Sequence, residues 1–192
     1  MVALCAMIHH RVVRFVRFSL CAFCLTALAA CGGASAEGRG SSSSSDGLVG
    51  NPAPPFRVKA LMGAQGVVSI QSLRGKVVLL DFWGTFCEPC KRSFPRLQEL
   101  NAKYADRGLQ IVGISEDEVE DRDKIPVFAK TYGVTFIVGW DEDKAIANAY
   151  KPETMPSSYV VDRRGFVRFA HLGYHDGEEV EVAREIEDLL AK

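Results

Sequence analysis

Lys76-Val77-Val78-Leu79-Leu80-Asp81-Phe82-Trp83-Gly84-Thr85-Phe86-Cys87-Glu88-Pro89-Cys90-Lys91 is the stretch that decides the fold. Lys76–Phe82 is a continuous apolar run broken by Asp81. Such a run predicts a strand buried on both faces. A helical pattern follows from about Glu88 to Ala105, with Phe94, Leu97, Leu100 and Tyr104 on one face, and Gly108 ends it. The two cysteines therefore fall at a strand-to-helix junction. There the first backbone N–H groups and the helix dipole stabilise a thiolate at Cys87. Cys90 lies about one turn on, and Pro89 fits a first turn where its missing N–H does no harm. Asp81 stands out because burying a carboxylate is costly without a purpose.

Outward from this stretch the pattern alternates. Asn51-Pro52-Ala53-Pro54-Pro55 reads as an extended lead-in, since each proline restrains its predecessor. Arg57–Leu61 and Val67–Ile70 flank a glycine-containing turn and predict an N-terminal β-hairpin. Leu109–Ser115 is a second buried strand, and Glu116–Asp123 reads as a solvated acidic loop and helix start. Pro126–Tyr132 predicts a helix, Phe136–Val138 a short strand and Lys144–Tyr150 a short helix. Ser158–Asp162 and Phe166–Ala170 flank Arg163-Arg164-Gly165, a hairpin signal, and Glu178–Leu190 is a final amphipathic helix. Alternation in the middle implies parallel strands with crossover helices, and the closing hairpin adds antiparallel ones. The expected class is α/β, a mixed central sheet flanked by helices, over residues 51–192.

The run Trp83-Gly84-Thr85-Phe86-Cys87-Glu88-Pro89-Cys90-Lys91 resembles the thioredoxin superfamily, in particular its TlpA/ResA-like branch of membrane-tethered oxidoreductases. The resemblance spans roughly residues 52–190. Asp81 stands six residues before Cys87, where thioredoxins carry a buried acid. Pro95 stands five after Cys90, where they carry a helix proline. Met155-Pro156 precedes a strand, where the family places a cis-proline beside the cysteines. The strand–helix unit 136–150 matches the central βα insertion of the TlpA-like branch. One position departs: ResA-like proteins often carry Glu three residues after the second cysteine, and here it is Ser93.

The resemblance implies a thiol–disulfide oxidoreductase. Cys87 would be the nucleophile, Cys90 the resolving thiol, and Asp81 an acid/base for Cys90 through water. Glu88 and Pro89, between the cysteines, would face substrate. Pro156 would shape the substrate groove, and Met155 would offer backbone groups to an extended segment. Trp83 and Phe86 would either form an apolar rim or simply pack. The Glu-Pro dipeptide is like that of reducing members, which keep apocytochrome haem-site thiols reduced. No flavin or nicotinamide motif is present, so the redox-active Cys87–Cys90 pair is the only redox group expected. Its electrons would come from a membrane redox partner. A monomer acting on protein disulfide or dithiol substrates is the expectation.

The N-terminus carries a different message. Residues 1–17 hold Arg11, Arg14 and Arg17 and no acid, and 18–30 are apolar and short. This reads as a secretory signal over residues 1–30. Leu28-Ala29-Ala30-Cys31 resembles the bacterial lipobox, which implies lipidation of Cys31 and a place on the extracytoplasmic, periplasmic face of a membrane. The alternative is an ordinary signal cleaved near Ala30 or Ala36. Residues 32–47 are Gly/Ser-rich and suit a flexible tether, so residues 31–50 form the anchor segment.

Composition narrows the remaining options. The 192 residues carry a formal charge of −1, and removal of residues 1–30 leaves 20 basic against 24 acidic residues. No basic excess points to nucleic acid. Of six cysteines, only Cys87 and Cys90 lie beyond residue 31, which is not the spread of a disulfide scaffold. A zinc site from Cys87, Cys90, His171 and His175 would need its pairs about 80 residues apart, against roughly a dozen in a finger. A strand-surface role for His171 and a loop role for His175 are the plainer readings, so no metal is expected. A Sco-like copper chaperone on the same fold is the non-enzyme alternative, although it would carry three residues between its cysteines. A peroxiredoxin would need Thr or Ser three residues before its cysteine, where this chain has Gly84.

Overall fold

A computed structural model describes residues 45–192. The expected signal, Cys31 and nearly all of the Gly/Ser segment lie outside the described residues. Seven strands form one sheet: β1 (Arg57–Met62), β2 (Val67–Ser69), β3 (Val77–Trp83), β4 (Leu109–Ser115), β5 (Ile137–Trp140), β6 (Ser157–Val161) and β7 (Val167–Leu172). Four α-helices connect or close it: α1 (Glu88–Tyr104), α2 (Lys124–Thr131), α3 (Ala145–Tyr150) and α4 (Glu178–Leu190). The spatial order is β2-β1-β5-β4-β3-β6-β7. β3, β4 and β5 run parallel, and β1, β6 and β7 complete the sheet in antiparallel pairings. This is the expected mixed sheet, with its N-terminal hairpin and its β5–α3 insertion.

The strand alternation sorts the core. Val77, Leu79 and Trp83 face α1, α2 and α4, packing with Phe94, Leu97, Ile125 and Ile186. Val78, Leu80 and Phe82 face the other way, onto α3 and the N-terminal segment, with Phe56, Tyr150 and Tyr159. All seven β3 residues are buried, as a central strand between two covered faces requires. Each apolar side chain among them contributes about 1.5–3 kcal/mol by leaving water, whereas burying Asp81 is costly. Both core clusters are formed by residues within 45–192.

Two backbone details fix the frame. Pro95 sits inside α1, where its missing N–H leaves the Lys91 carbonyl without the usual helical donor. Gly63 turns the first hairpin at φ +74, and a Cβ there would lie 2.2 Å from the Phe136 carbonyl oxygen. The hairpin can therefore approach the start of β5 only because residue 63 has no side chain. Among the described residues no helix is long and apolar enough to cross a membrane.

Candidate active site

β3 ends at Trp83 and the chain turns through Gly84, Thr85 and Phe86 into α1. Cys87 is the N-cap: its backbone is extended, its N–H donates to the Gly84 carbonyl at 3.0 Å, and its Sγ accepts from Cys90 N at 3.2 Å. Cys87 and Cys90 are joined in a disulfide with Cα atoms 5.3 Å apart. Cys87 is 6% exposed and Cys90 is wholly buried. Cys87 is thus the slightly more accessible of the two. Glu88 and Pro89 occupy the first helical turn, with Glu88 exposed and paired to Lys91 at 2.6 Å.

Asp81 lies beneath this helix. Antiparallel register places it opposite Ser158, whose hydroxyl donates to Oδ1 at 2.6 Å. The other oxygen, Oδ2, has no hydrogen-bond partner among the described residues. Burial pushes the Asp81 carboxyl up to about 7 and the nearby Glu178 carboxylate adds to the rise, while the Ser158 hydrogen bond opposes it. Asp81 lines a crevice of about 30 Å³ together with Ser93, Leu97, Pro156, Ser158 and Glu178. That is room for a water at a polar wall. A carboxyl raised to about 7 can take or return a proton at physiological pH.

Met155–Pro156 is a cis peptide. Pro156 is buried in the crevice wall and its carbonyl accepts from Gly173 N at 2.8 Å, while Met155 is half-buried against the core cluster that holds both cysteines. The structure thus brings Cys87, Cys90, Asp81, Met155 and Pro156 to one end of the sheet. Phe86 is 64% exposed, with its ring folded over Gly84, where a Cβ would lie 2.5 Å from Phe86 Cε1. Beside it is a hollow of about 400 Å³ lined by Lys91, Val127, Phe128 and Tyr132.

Trp83 corrects the rim expectation. It is wholly buried, with its ring centroid 4.4 Å from Phe94 and 5.0 Å from Phe128. It is a floor beneath the cysteines, not a surface, because odd-numbered β3 side chains point into the helix-covered face. Gly113 leaves space for it: a Cβ there would lie 3.1 Å from Trp83 Nε1. Of the two aromatics only Phe86 is exposed.

The acidic loop is also not uniformly solvated. Glu116 and Asp117 are buried, 7% and 1% exposed. The reason is that the chain stays bonded past β4: Glu116 N donates to the Trp83 carbonyl at 2.8 Å. Asp117 then accepts from Thr85 N at 3.1 Å, from the Thr85 hydroxyl, and from Ser115 Oγ at 2.6 Å. Its carbonyl accepts from Trp140 Nε1 at 2.8 Å, which ties the loop before Cys87 to the end of β5. Burial and the Asp141 charge push Glu116 up to about 7, with Lys144 opposing. Sequence reading missed Asp117 and Thr85 because their pairing follows from the Trp83–Ser115 register, which no local pattern reports. His171, expected on the strand surface, is half-buried and bonded to Glu185 at 2.7 Å. His175 lies in the turn before α4, as expected.

Comparison with known proteins agrees with this geometry. The AhpC/TSA family matches residues 49–170. The thioredoxin-like protein YneN of Bacillus subtilis is 35% identical over 133 residues, covering 69% of this chain and 76% of that protein. The thiol-disulfide oxidoreductase ResA of Bacillus cereus is also 35% identical over 133 residues, 69% and 75% of the two chains. A solved structure assigned as the thiol:disulfide interchange protein DsbE of Chlorobium tepidum superposes with a TM-score of 0.67 at 30% identity. It covers 72% of this chain and 95% of its own. Relatives bearing these names do not favour the copper-chaperone alternative.

Proposed function

The chain belongs to the AhpC/TSA family and is a thioredoxin-like thiol–disulfide oxidoreductase, and we propose that it reduces protein disulfides outside the cytoplasm with Cys87 as the nucleophile. The observation that carries the assignment of roles is the unequal access of the two sulfurs, with Cys87 capping α1 and Cys90 buried. In the dithiol state the Cys87 thiolate attacks one sulfur of a substrate disulfide and the other sulfur leaves as a thiolate. Cys90, giving its proton to Asp81 through water, then attacks Cys87 Sγ. The substrate departs with both thiols, and the protein is left as the Cys87–Cys90 disulfide. Two electrons and two protons must then return from a membrane redox partner. Met155 would offer backbone groups to an extended substrate segment, and Phe86, Glu88 and Pro89 would border it. Haem-site thiols of apocytochromes are a fitting substrate, by likeness to reducing relatives.

The signal over residues 1–30 and the lipobox-like Leu28–Cys31 support export and a lipid anchor on Cys31, with the Gly/Ser-rich stretch as tether up to the Ser45–Leu48 turn, from which the chain is bonded to the domain. Purified residues 48–192 test the chemistry, since both core clusters lie within them. Cys87→Ser should abolish insulin disulfide reduction, and Cys90→Ser should trap a mixed disulfide; an active Cys87→Ser protein would overturn the mechanism. A Cys87/Cys90 potential near that of thioredoxin, about −270 mV, is expected of a reductase, whereas about −120 mV would make it an oxidant. Membrane fractionation tests the anchor, which Cys31→Ser should abolish.

A further inference from the structure

We propose that the end of the sheet opposite the redox pair is a docking surface for anionic phospholipid, so that the tethered domain rests on the membrane with Cys87 turned away from it. The proposal rests on the lipid-anchor reading above and adds an orientation to it.

Strand polarity separates the two ends. β3 runs toward the cysteines, and β6 runs against it, with Val78 opposite Val161 and Phe82 opposite Ser157. The β6–β7 turn, Asp162–Phe166, therefore lies beside the start of β3. Seven residues of β3 put it about 20 Å from the redox end.

The chain arriving from the tether is bonded to this turn. Gly50 N donates to the Val167 carbonyl at 2.8 Å, Val167 N to the Asn51 carbonyl at 2.9 Å, and Ala53 N to the Gly165 carbonyl at 2.9 Å. By composition the fourteen residues 31–44 would act as a Gly/Ser-type tether with a root-mean-square reach of about 20 Å. A lipid on Cys31 would thus keep the β6–β7 turn close to the bilayer.

The charges agree. Arg163, Arg164, Arg168 and Lys192 line one hollow of about 400 Å³ at this end. Arg74 joins them, since a Cβ on Gly165 would lie 2.7 Å from its guanidinium carbon. Exposed Lys76 and Arg107 flank the hollow at the starts of β3 and β4. Asp162 takes up part of this charge through Arg168 at 2.8 Å and Arg164 at 3.8 Å, and Asp106, Asp188 and the terminal carboxylate offset more. A basic excess remains at this pole of a domain that is acidic as a whole. The opposite pole carries Glu118, Glu120, Asp121 and Asp123 after β4 and Glu142 and Asp143 after β5, with Arg122, Lys124 and Lys144 pairing to three of them. An anionic bilayer therefore attracts the first pole more than the second. Guanidinium groups also match phosphate in forked hydrogen bonds.

The test uses the whole mature chain, residues 31–192, carrying Cys31→Ser so that no acyl chain contributes. Co-sedimentation is measured with vesicles of phosphatidylcholine alone and of phosphatidylcholine with about 30% phosphatidylglycerol. The expected result is binding only to the anionic vesicles at low salt, lost toward physiological ionic strength. Arg74→Glu/Arg164→Glu should weaken it by about tenfold or more, with insulin reduction unchanged as the control for folding. Equal binding to neutral vesicles, no binding to either, or unaltered binding by the charge-reversed protein overturns the docking surface. A wild-type protein found soluble in native cells would instead overturn the anchor. The two failures are therefore distinguishable.

Discussion

Asp81→Asn is the perturbation whose magnitude the structure defines best. The carboxyl is 1% exposed. Burial, reinforced by the Glu178 charge and opposed by Ser158, holds it at about 7 against an ordinary 3.8. Between those two values the native protein binds a proton that the unfolded chain has released. Stability must therefore fall as pH rises, by about 1.4 kcal/mol per pH unit across that window. The full cost of ionising Asp81 in the native state is then about 4 kcal/mol at pH 8. Asparagine keeps the shape and can still accept from Ser158, but it has no charge to bury. Relative to wild type, Asp81→Asn should be nearly neutral at pH 4 and more stable by several kcal/mol at pH 8. Urea unfolding of the disulfide form at half-unit pH steps measures this. Glu116, also raised to about 7, tilts both proteins alike, so the difference between them isolates Asp81. Under the proposed mechanism the same variant should slow disulfide reduction above pH 7, where an ionised Asp81 would accept the Cys90 proton. A difference in stability that stays constant from pH 4 to 8 would refute the reasoning.

Asp117→Ala should cost about 2–4 kcal/mol and slow disulfide exchange, because Thr85 and Ser115 lose their acceptor at a buried site; urea unfolding and insulin reduction check it. Gly63→Ala should cost more than about 2 kcal/mol, since φ is +74 and the new Cβ would meet the Phe136 carbonyl. Gly66→Ala, at φ +76 with open space around it, should cost only about 1 kcal/mol; paired denaturation curves separate the two. At His171, burial lowers the imidazole's affinity for a proton, but the Glu185 hydrogen bond and the charges of Glu185, Glu178 and Glu181 outweigh it. Its folded value is therefore raised. His171→Gln should lose stability below pH 6.5, where the ion pair is fully formed, and that loss should fade as pH rises through the raised value; a pH series of thermal midpoints tests the sign.

Much of this protein is written locally. The apolar run of β3, the i, i+3 face of α1 and the amphipathic α4 each follow from residue periodicity, and the structure forms α4 over the predicted Glu178–Leu190. Cys87, Cys90 and Pro89 were legible because their spacing has meaning within one helical turn. Asp81 was legible because a carboxylate in a buried run is costly and stands out. The sense of the side chains was not. Trp83 looked like a rim residue, yet strand parity turns it inward onto Phe94. Asp117 looked like a solvated acid, yet the parallel pairing of β3 with β4 sets it beneath Thr85. Such pairings join residues some thirty positions apart, and their existence depends on register, which is settled by packing across the whole sheet. Sequence alone thus determined which atoms can do thiol chemistry and which segments build the scaffold. Tertiary structure decided which of the two cysteines is the more deeply buried, what holds the loop before them, and that the chain enters the domain at the end farthest from the cysteines. Local periodicity encodes a segment's own shape and burial, whereas neighbourhood between distant segments exists only once the sheet has closed around one register.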